Sequence, residues 1–235
     1  MEKKYILFDL DGTLTDPMVG ITRSVQHALE HYKIHEPDLK KLTPFIGPPL
    51  KDSFMRYYHF PEAQAREAIG VYREYYSAKG IFENEELPGI RQMLKRLKEA
   101  GKVLLVATSK PEPFAKMIVE HFGLDPYLSF VGGADMEETR VKKGDVIRYV
   151  LEQIKIVDGA DPGRPAAQKA RTAAQKARVV MVGDREHDIF GAKENQIQSI
   201  GVLMGYGSRE ELEKAGADKI AADAGELTEL LLGDW

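Results

Sequence analysis

Short apolar runs alternate with amphipathic stretches along most of the chain. The runs are rich in strand-forming residues and have polar residues at both ends, which is typical of buried parallel strands. Between them, apolar residues recur every three or four positions, which predicts helices. Strands that alternate with helices indicate parallel βαβ units, so we predict an α/β fold with a doubly wound, Rossmann-like parallel sheet. The predicted strands are 5–8, 103–107, 128–131, 179–182, 199–203 and 218–221.

A different pattern fills residues 17–85, where helical periodicity continues without a run typical of a core strand. Helices are predicted near 48–59 and 61–79, after an earlier amphipathic helix. We therefore predict an α/β core made of 1–16 and 86–235, with a small α-helical domain inserted after the first strand.

Residues 158–178 interrupt the alternation within the core. The sequence Ala-Ala-Gln-Lys-Ala-Arg occurs twice, at 166–171 and 173–178, and it offers helix formers but no large apolar residue to pack. This pattern favours an insertion that forms a solvated arm. The alternative is a basic surface for an anionic partner, because Arg164 to Arg178 includes five positive residues and no acidic one.

Composition limits the classes of function. The formal net charge is −4, so the chain has no global basic field for nucleic acid. No segment approaches the roughly 20 apolar residues of a membrane span, and the four residues before the first strand leave no room for a signal peptide. Cysteine is absent, which excludes disulfides and cysteine nucleophiles. We expect a cytoplasmic monomer or homodimer that binds neither nucleic acid nor membrane.

Two carboxylates and a glycine follow the first predicted strand. Asp9 and Asp11 are two positions apart, so they project to the same side if the strand geometry continues. Carboxylates this close repel each other unless a cation lies between them or one is protonated. Gly12 permits a sharp turn and leaves amide N–H groups free to face an anion. The stretch therefore offers a nucleophile, an acid/base group, a metal ligand and part of a phosphate site.

Further polar groups follow the later strands or begin the helices after them. The carboxyl ends of parallel strands meet at one edge of a sheet, so these groups can converge on Asp9 and Asp11. Taken singly, a Thr-Ser pair is typical of a helix N-cap and a lysine of a solvated surface. Their occurrence together in this order predicts a single active site. The groups are Thr108 with Ser109, Lys142 with Lys143, and Asp184 with Asp188.

These motifs resemble those of the haloacid dehalogenase-like hydrolase superfamily, most of whose members are phosphatases. Residues 8–13, Phe-Asp-Leu-Asp-Gly-Thr, are similar to the first motif, and Gly-Asp-x-x-x-Asp at 183–188 is similar to the fourth. Thr108 matches the second motif. Lys143 matches the third, with the adjacent Lys142 as the alternative.

The resemblance covers nearly the whole chain outside 158–178, and it implies that 17–85 is a helical cap. Residues 20–25 and 45–50 are similar to the 5′-nucleotidase-like branch, which neighbours the phosphoglycolate phosphatases. The implied substrate is a small phosphorylated metabolite, of the nucleoside 5′-monophosphate or 2-phosphoglycolate type. The alternatives are a sugar phosphomutase of the same fold and a non-catalytic protein that binds through the basic arm.

The chemistry of phosphate esters assigns a role to each acidic group. Asp9 is expected to attack phosphorus and form an aspartyl phosphate. Asp11 is expected to protonate the leaving alcohol and then to deprotonate the attacking water. Mg²⁺ is the expected cofactor, because ligands that are all oxygen favour Mg²⁺ over Zn²⁺. Asp9 and Asp184 would hold it, and the resemblance adds the backbone carbonyl of Asp11.

The remaining candidates would bind phosphate, support the metal site or select the substrate. Thr108, Ser109, Lys143 and Gly12 are expected to contact the phosphoryl oxygens. Asp188 is expected to orient the metal ligands without ligating directly. Arg23 is the candidate for contacting the substrate beyond its phosphate.

Overall fold

The computed structural model describes residues 2–137, 139–156 and 172–234 of this chain. Its internal contacts divide it into two compact units. The sheet unit consists of Met1–Leu14 with Leu87–Trp235, and the helical unit is Thr15–Glu86.

Strands and helices alternate through the sheet unit, and helices dominate the other unit. The strands are β1 (Tyr5–Phe8), β2 (Thr15–Asp16), β3 (Glu85–Glu86), β4 (Val103–Pro111), β5 (Phe130–Ala134), β6 (Val179–Gly183), β7 (Gln198–Val202) and β8 (Lys219–Ala221). The helices are α1 (Met18–His31), α2 (Leu50–Tyr58), α3 (Glu62–Ala78), α4 (Ile90–Glu99), α5 (Glu112–His121), α6 (Lys143–Gln153), α7 (Glu186–Glu194), α8 (Arg209–Ala215) and α9 (Ala224–Leu232).

The sheet unit contains a six-stranded parallel sheet in the order β5-β4-β1-β6-β7-β8. Phe8 at the end of β1 pairs with Val106 in β4 and with Val182 in β6, so β1 and β6 end at nearly the same level of the sheet, whereas β4 continues past it. Ile6, Leu7 and Phe8 are fully buried. Successive side chains of a strand point to opposite faces of the sheet. Because all three of these side chains are buried, both faces of the sheet must be covered by helices. The predicted α/β fold with a doubly wound parallel sheet is confirmed.

The strand β4 is longer than the sequence predicts. The prediction ended it at residue 107, whereas the extended backbone continues to Pro111. The extension follows from pairing with β5, which resumes at Pro111 and Ala134 after a shift in register beyond Ala107. Residues 108–110 are therefore part of a strand, and the N-cap of α5 is Pro111.

The helical unit has its own buried core, in which α1 packs against α3. Val25 and Leu29 of α1 are fully buried, and so is Ala68 of α3. A Cβ added at Gly20 would lie 1.9 Å from the carbonyl oxygen of Gly80, so only glycine permits this approach. The chain enters and leaves the unit through the antiparallel pair of β2 and β3.

The described end of the predicted arm, 172–178, is partly buried. Thr172 and Lys176 are buried. The carbonyl oxygen of Arg178 accepts hydrogen bonds from the backbone N–H groups of Lys4 (2.9 Å) and Tyr5 (3.1 Å). Ala173, Ala174 and Arg178 are exposed, so the expectation of a solvated arm stays a prediction. The rest of that prediction, 158–171, lies outside the described residues.

Among the helices in the described ranges, none is both long enough and apolar enough to cross a membrane.

Candidate active site

The carboxyl ends of β1, β4 and β6 carry the predicted site residues. Asp9 follows β1 directly, and its backbone N–H donates to the carbonyl oxygen of Val182 in β6 (2.8 Å). Thr108 lies within β4 and Asp184 follows β6. Lys143 is the first residue of α6. The parallel sheet thus brings together groups that are distant in sequence.

Three carboxylates form a buried acidic cluster at this edge. Asp9, Asp184 and Asp188 each contribute one carboxylate oxygen, and these oxygens lie within 4.8 Å of one another. Asp184 Oδ2 accepts a hydrogen bond from the backbone N–H of Tyr206 (2.7 Å). Asp184 Oδ1 is buried and has no hydrogen-bond partner among the described residues. A buried oxygen without a partner beside other carboxylates is typical of a cation site.

The pKa shifts within the cluster reflect the same crowding of negative charge. Burial and the carboxylates of Asp188 and Asp9 raise the pKa of Asp184 to about 8. Burial also raises the pKa of Asp188, although Lys143 opposes that shift. Protonation relieves the repulsion in the metal-free cluster, and a bound cation would relieve it without a proton.

Lys143 connects two members of the acidic cluster. Its Nζ lies 2.8 Å from Asp9 Oδ1 and 2.9 Å from Asp188 Oδ1, and it donates to the carbonyl oxygen of Ala107 (3.2 Å). Burial opposes the charged form, but the carboxylates outweigh it and raise the pKa of Lys143 above its ordinary value. Lys142 is exposed at the N-cap of α6, so the structure places Lys143, not Lys142, in the cluster.

Lys110 forms a second ion pair at this edge, which the sequence analysis missed. Its Nζ donates to both carboxylate oxygens of Asp11, at 2.8 Å and 2.6 Å. Burial raises the pKa of Asp11, although Lys110 favours the carboxylate form. The sequence pattern did not indicate this contact, because the predicted strand ended at residue 107, before Lys110.

Glycines surround Asp184 closely. Gly12 has a φ of +82°, and a Cβ added there would lie 2.4 Å from Asp184 Oδ2. A Cβ at Gly205 would lie 2.3 Å from that oxygen and 2.3 Å from the carbonyl oxygen of Gly12, and one at Gly207 would lie 1.8 Å from the carbonyl oxygen of Asp184. The sequence analysis missed the loop 204–207. Its signal was a Gly-Tyr-Gly sequence shortly after a buried strand.

The remaining predicted residues occupy different surroundings. Thr108 is buried, and its Oγ1 accepts a hydrogen bond from the backbone N–H of Lys110 (3.2 Å). Ser109 is half-buried beside it. Arg23 lies in the helical unit and forms an ion pair with Glu83. Its expected role in substrate selection stays a prediction.

The charges of these groups favour a divalent cation. The ion pairs and the acidic cluster include four carboxylates, from Asp9, Asp11, Asp184 and Asp188, and two ammonium groups. If all six are ionised, four negative and two positive charges leave a balance of two negative charges. The available donors are all oxygens, which fits Mg²⁺.

Comparisons with known proteins agree on one family. The sequence model of the family described as haloacid dehalogenase-like hydrolase matches residues 6–202. A 5′-nucleotidase from Pseudomonas aeruginosa is 42% identical over 226 residues, which cover 96% of this chain and 94% of that protein. The tyrosine-protein kinase PtkA from Mycobacterium tuberculosis is 38% identical over 228 residues, which cover 96% of this chain and 72% of that protein. The crystal structure of a predicted phosphatase from Clostridium acetobutylicum matches with a TM-score of 0.87 and 44% identity, covering 99% of each chain.

Proposed function

The chain belongs to the haloacid dehalogenase-like hydrolase family and is a phosphatase, and from this premise we propose that it hydrolyses small phosphate monoesters through an aspartyl phosphate on Asp9. The observation that carries the proposal is the buried contact of Asp9 with Lys143, within 4.8 Å of the carboxylate oxygens of Asp184 and Asp188. The proposed substrates are nucleoside 5′-monophosphates or 2-phosphoglycolate. The 42% identity to a 5′-nucleotidase supports the first class.

Magnesium is the proposed cofactor. Asp9, Asp184 and the backbone carbonyl of Asp11 would hold the ion, and Asp188 would orient those ligands. The unpartnered Oδ1 of Asp184 and the two other buried carboxylates beside it support this assignment. When bound, Mg²⁺ would neutralise the charge that otherwise repels a dianionic phosphate ester from a carboxylate nucleophile.

Two in-line displacements at phosphorus account for hydrolysis. In the first, a carboxylate oxygen of Asp9 forms a bond to phosphorus as the ester P–O bond breaks, and Asp11 gives its proton to the leaving oxygen. In the second, Asp11 takes a proton from water while the water oxygen bonds to phosphorus. The bond between Asp9 and phosphorus then breaks, which releases inorganic phosphate and restores both carboxyl groups.

The neighbouring polar groups would stabilise the charge that develops on the phosphoryl oxygens. Lys143 is held beside Asp9, and Thr108 directly follows Ala107, whose carbonyl oxygen binds Lys143. We assign Thr108, Ser109, Lys143 and the backbone of Gly12 to this role. Donors fixed in a buried site stabilise such charge more strongly than water does.

The test compares the wild type with Asp9→Asn, which keeps the shape of the side chain and removes the nucleophile. Phosphate release is measured from nucleoside monophosphates, 2-phosphoglycolate and p-nitrophenyl phosphate, with Mg²⁺ and then with EDTA. We expect release that requires Mg²⁺ and falls to background in Asp9→Asn. The matched control is Asp145→Asn, since Asp145 lies on α6 and pairs with Arg148.

Acid quenching during turnover should also yield a peptide containing Asp9 that carries one additional phosphoryl group. Phosphate release by Asp9→Asn at the wild-type rate would contradict the assignment of the nucleophile. Turnover of glucose 1-phosphate without phosphate release would favour the sugar phosphomutase. Family membership and the complete set of carboxylates favour an enzyme over a non-catalytic binding protein.

A second candidate activity is phosphoryl transfer to a tyrosine hydroxyl. It is favoured by the 38% identity to a relative named as a tyrosine-protein kinase. The two reactions differ in the acceptor of the phosphoryl group. Incubation with ATP and a tyrosine-containing peptide would yield phosphotyrosine if the acceptor is tyrosine. It would yield inorganic phosphate if the acceptor is water.

A further inference from the structure

Lys110 forms a buried ion pair with Asp11, the proposed acid/base residue. We propose that Lys110 is a positioning residue that holds the Asp11 carboxylate in the orientation from which it exchanges a proton with the leaving oxygen. This inference rests on the proposed function, in which Asp11 protonates the leaving group. It adds a residue to that reaction which neither the motifs nor the relatives' names assign.

The contact is bidentate and shielded from water. Lys110 Nζ lies 2.8 Å and 2.6 Å from the two oxygens of Asp11, so both oxygens are held at once. The terminal torsion of an Asp side chain is otherwise soft, with no sharp preferred angle. The side chains are only 5% and 12% exposed, and loss of one partner leaves a buried charge without compensation. The pair therefore determines how the carboxylate points.

The backbone of Lys110 is itself held in place. Its N–H donates to Thr108 Oγ1 (3.2 Å). A Cβ added at Gly133 in β5 would lie 2.5 Å from the carbonyl oxygen of Lys110, so the two strands approach closely at this point. This segment falls within the shift in register between β4 and β5. The irregular part of β4 thus directs the Lys110 side chain toward Asp11.

The two buried lysines form their ion pairs with different carboxylates, so their removal should have different effects. Lys143 contacts Asp9 and Asp188, whereas Lys110 contacts Asp11. Loss of a group that positions the nucleophile should slow attack on every ester. Loss of a group that positions only the acid should slow esters whose leaving oxygen needs a proton, such as alkyl phosphates. An aryl phosphate such as p-nitrophenyl phosphate releases a stable anion and needs no such proton.

The test measures kcat/KM of Lys110→Met for p-nitrophenyl phosphate and for whichever of adenosine 5′-monophosphate or 2-phosphoglycolate the wild type hydrolyses faster. General acid catalysis contributes ~10²–10⁴-fold, so we expect a loss of about 10²-fold for the alkyl ester and of less than about 10-fold for the aryl ester. The ratio of the two values on one preparation does not depend on the fraction of folded enzyme. A merely structural defect would leave that ratio unchanged.

Two further variants make the experiment decisive. Lys110→Arg retains a bidentate donor, so it should recover at least about 10-fold of the alkyl-ester activity lost in Lys110→Met. Asp11→Asn should show the same dependence on the leaving group as Lys110→Met. The matched control is Lys116→Met, since Lys116 is exposed and pairs with Glu112.

The outcomes separate this inference from the function on which it rests. If Asp11→Asn lowers kcat/KM equally for both esters, the proposed role of Asp11 fails and the role of Lys110 fails with it. If Asp11→Asn shows the leaving-group effect and Lys110→Met does not, only the positioning role is overturned. An equal loss for both esters in Lys110→Met would therefore overturn the positioning role.

Discussion

The metal-free protein is expected to lose stability as the pH rises toward neutrality, and Asp184→Asn should remove most of this loss. The pKa of Asp184 is raised to about 8 by burial and by Asp188 and Asp9, whereas an unfolded Asp titrates near ~3.9. Between these values the folded state holds a proton that the unfolded state releases. The free energy of unfolding therefore falls as the pH rises through this window.

The magnitude follows from the width of the window. One such group changes the free energy of unfolding by about 1.4 kcal/mol per pH unit, or about 3 kcal/mol between pH 5 and pH 7. In a protein of this size, each kcal/mol shifts Tm by about 2–4 °C, so the metal-free wild type should lose about 6–12 °C. Asparagine does not titrate, and its side-chain oxygen can still accept from Tyr206. Its amide N–H groups would face the carboxylates of Asp9 and Asp188.

Magnesium should reverse this loss of stability at neutral pH in the wild type only. A cation present at 100 times its Kd stabilises the folded state by about 2.7 kcal/mol, which corresponds to about 5–11 °C here. Asp184→Asn removes one of the proposed ligands, so its Tm should respond weakly to Mg²⁺. At pH 7 in EDTA the variant should be more stable than the wild type, although it is inactive.

The assay is thermal unfolding of the wild type, Asp184→Asn and the control Asp145→Asn at pH 5, 6, 7 and 8, in EDTA and then in excess Mg²⁺. The control should follow the wild type throughout, because Asp145 is partly exposed and paired with Arg148. The reasoning is refuted if the metal-free wild type loses no more stability with rising pH than Asp184→Asn does. A Tm increase with Mg²⁺ of equal size in both proteins would refute the assignment of Asp184 as a ligand.

Two further variants test the geometry around the acidic cluster. Lys143→Met leaves Asp9 and Asp188 without their shared ammonium group, so kcat/KM for both alkyl and aryl phosphates should fall by about 10²-fold or more in a phosphate-release assay. A loss confined to alkyl esters would contradict the separate roles of the two lysines. Gly205→Ala places a Cβ 2.3 Å from Asp184 Oδ2, so Mg²⁺ affinity should fall by about 10-fold or more in a calorimetric titration. Gly70→Ala is its control, because a Cβ there meets no described atom within 4 Å beyond its own helix and neighbours. Equal Mg²⁺ affinities in the two variants would count against the tight packing around Asp184.

The predictions that succeeded depend on patterns that are local in the chain. β1 and β6 were predicted correctly because a strand buried on both faces leaves a continuous apolar run. The convergence of Asp9 and Asp184 follows from strand polarity, since both residues come directly after such runs. The choice between Lys142 and Lys143 could not be made this way. Adjacent residues at the start of a helix differ by about 100° in direction, and only the position of α6 against the sheet decides which one is buried.

Lys110 and the loop around Gly205 were not predicted either, because their positions also depend on how distant elements pack together. Lys110 reaches Asp11 because β4 continues past residue 107. That extension depends on pairing with β5, which comes later in the sequence, after α5 and a loop. Gly205 approaches Asp184 because β7 lies beside β6, with Gly183 paired to Gly201, so the loops after these strands begin at the same level. Neither adjacency has a local signature, since apolar runs indicate that strands exist but not which ones are neighbours. The order of the strands therefore determines which residues, beyond the recognisable motifs, reach the acidic cluster.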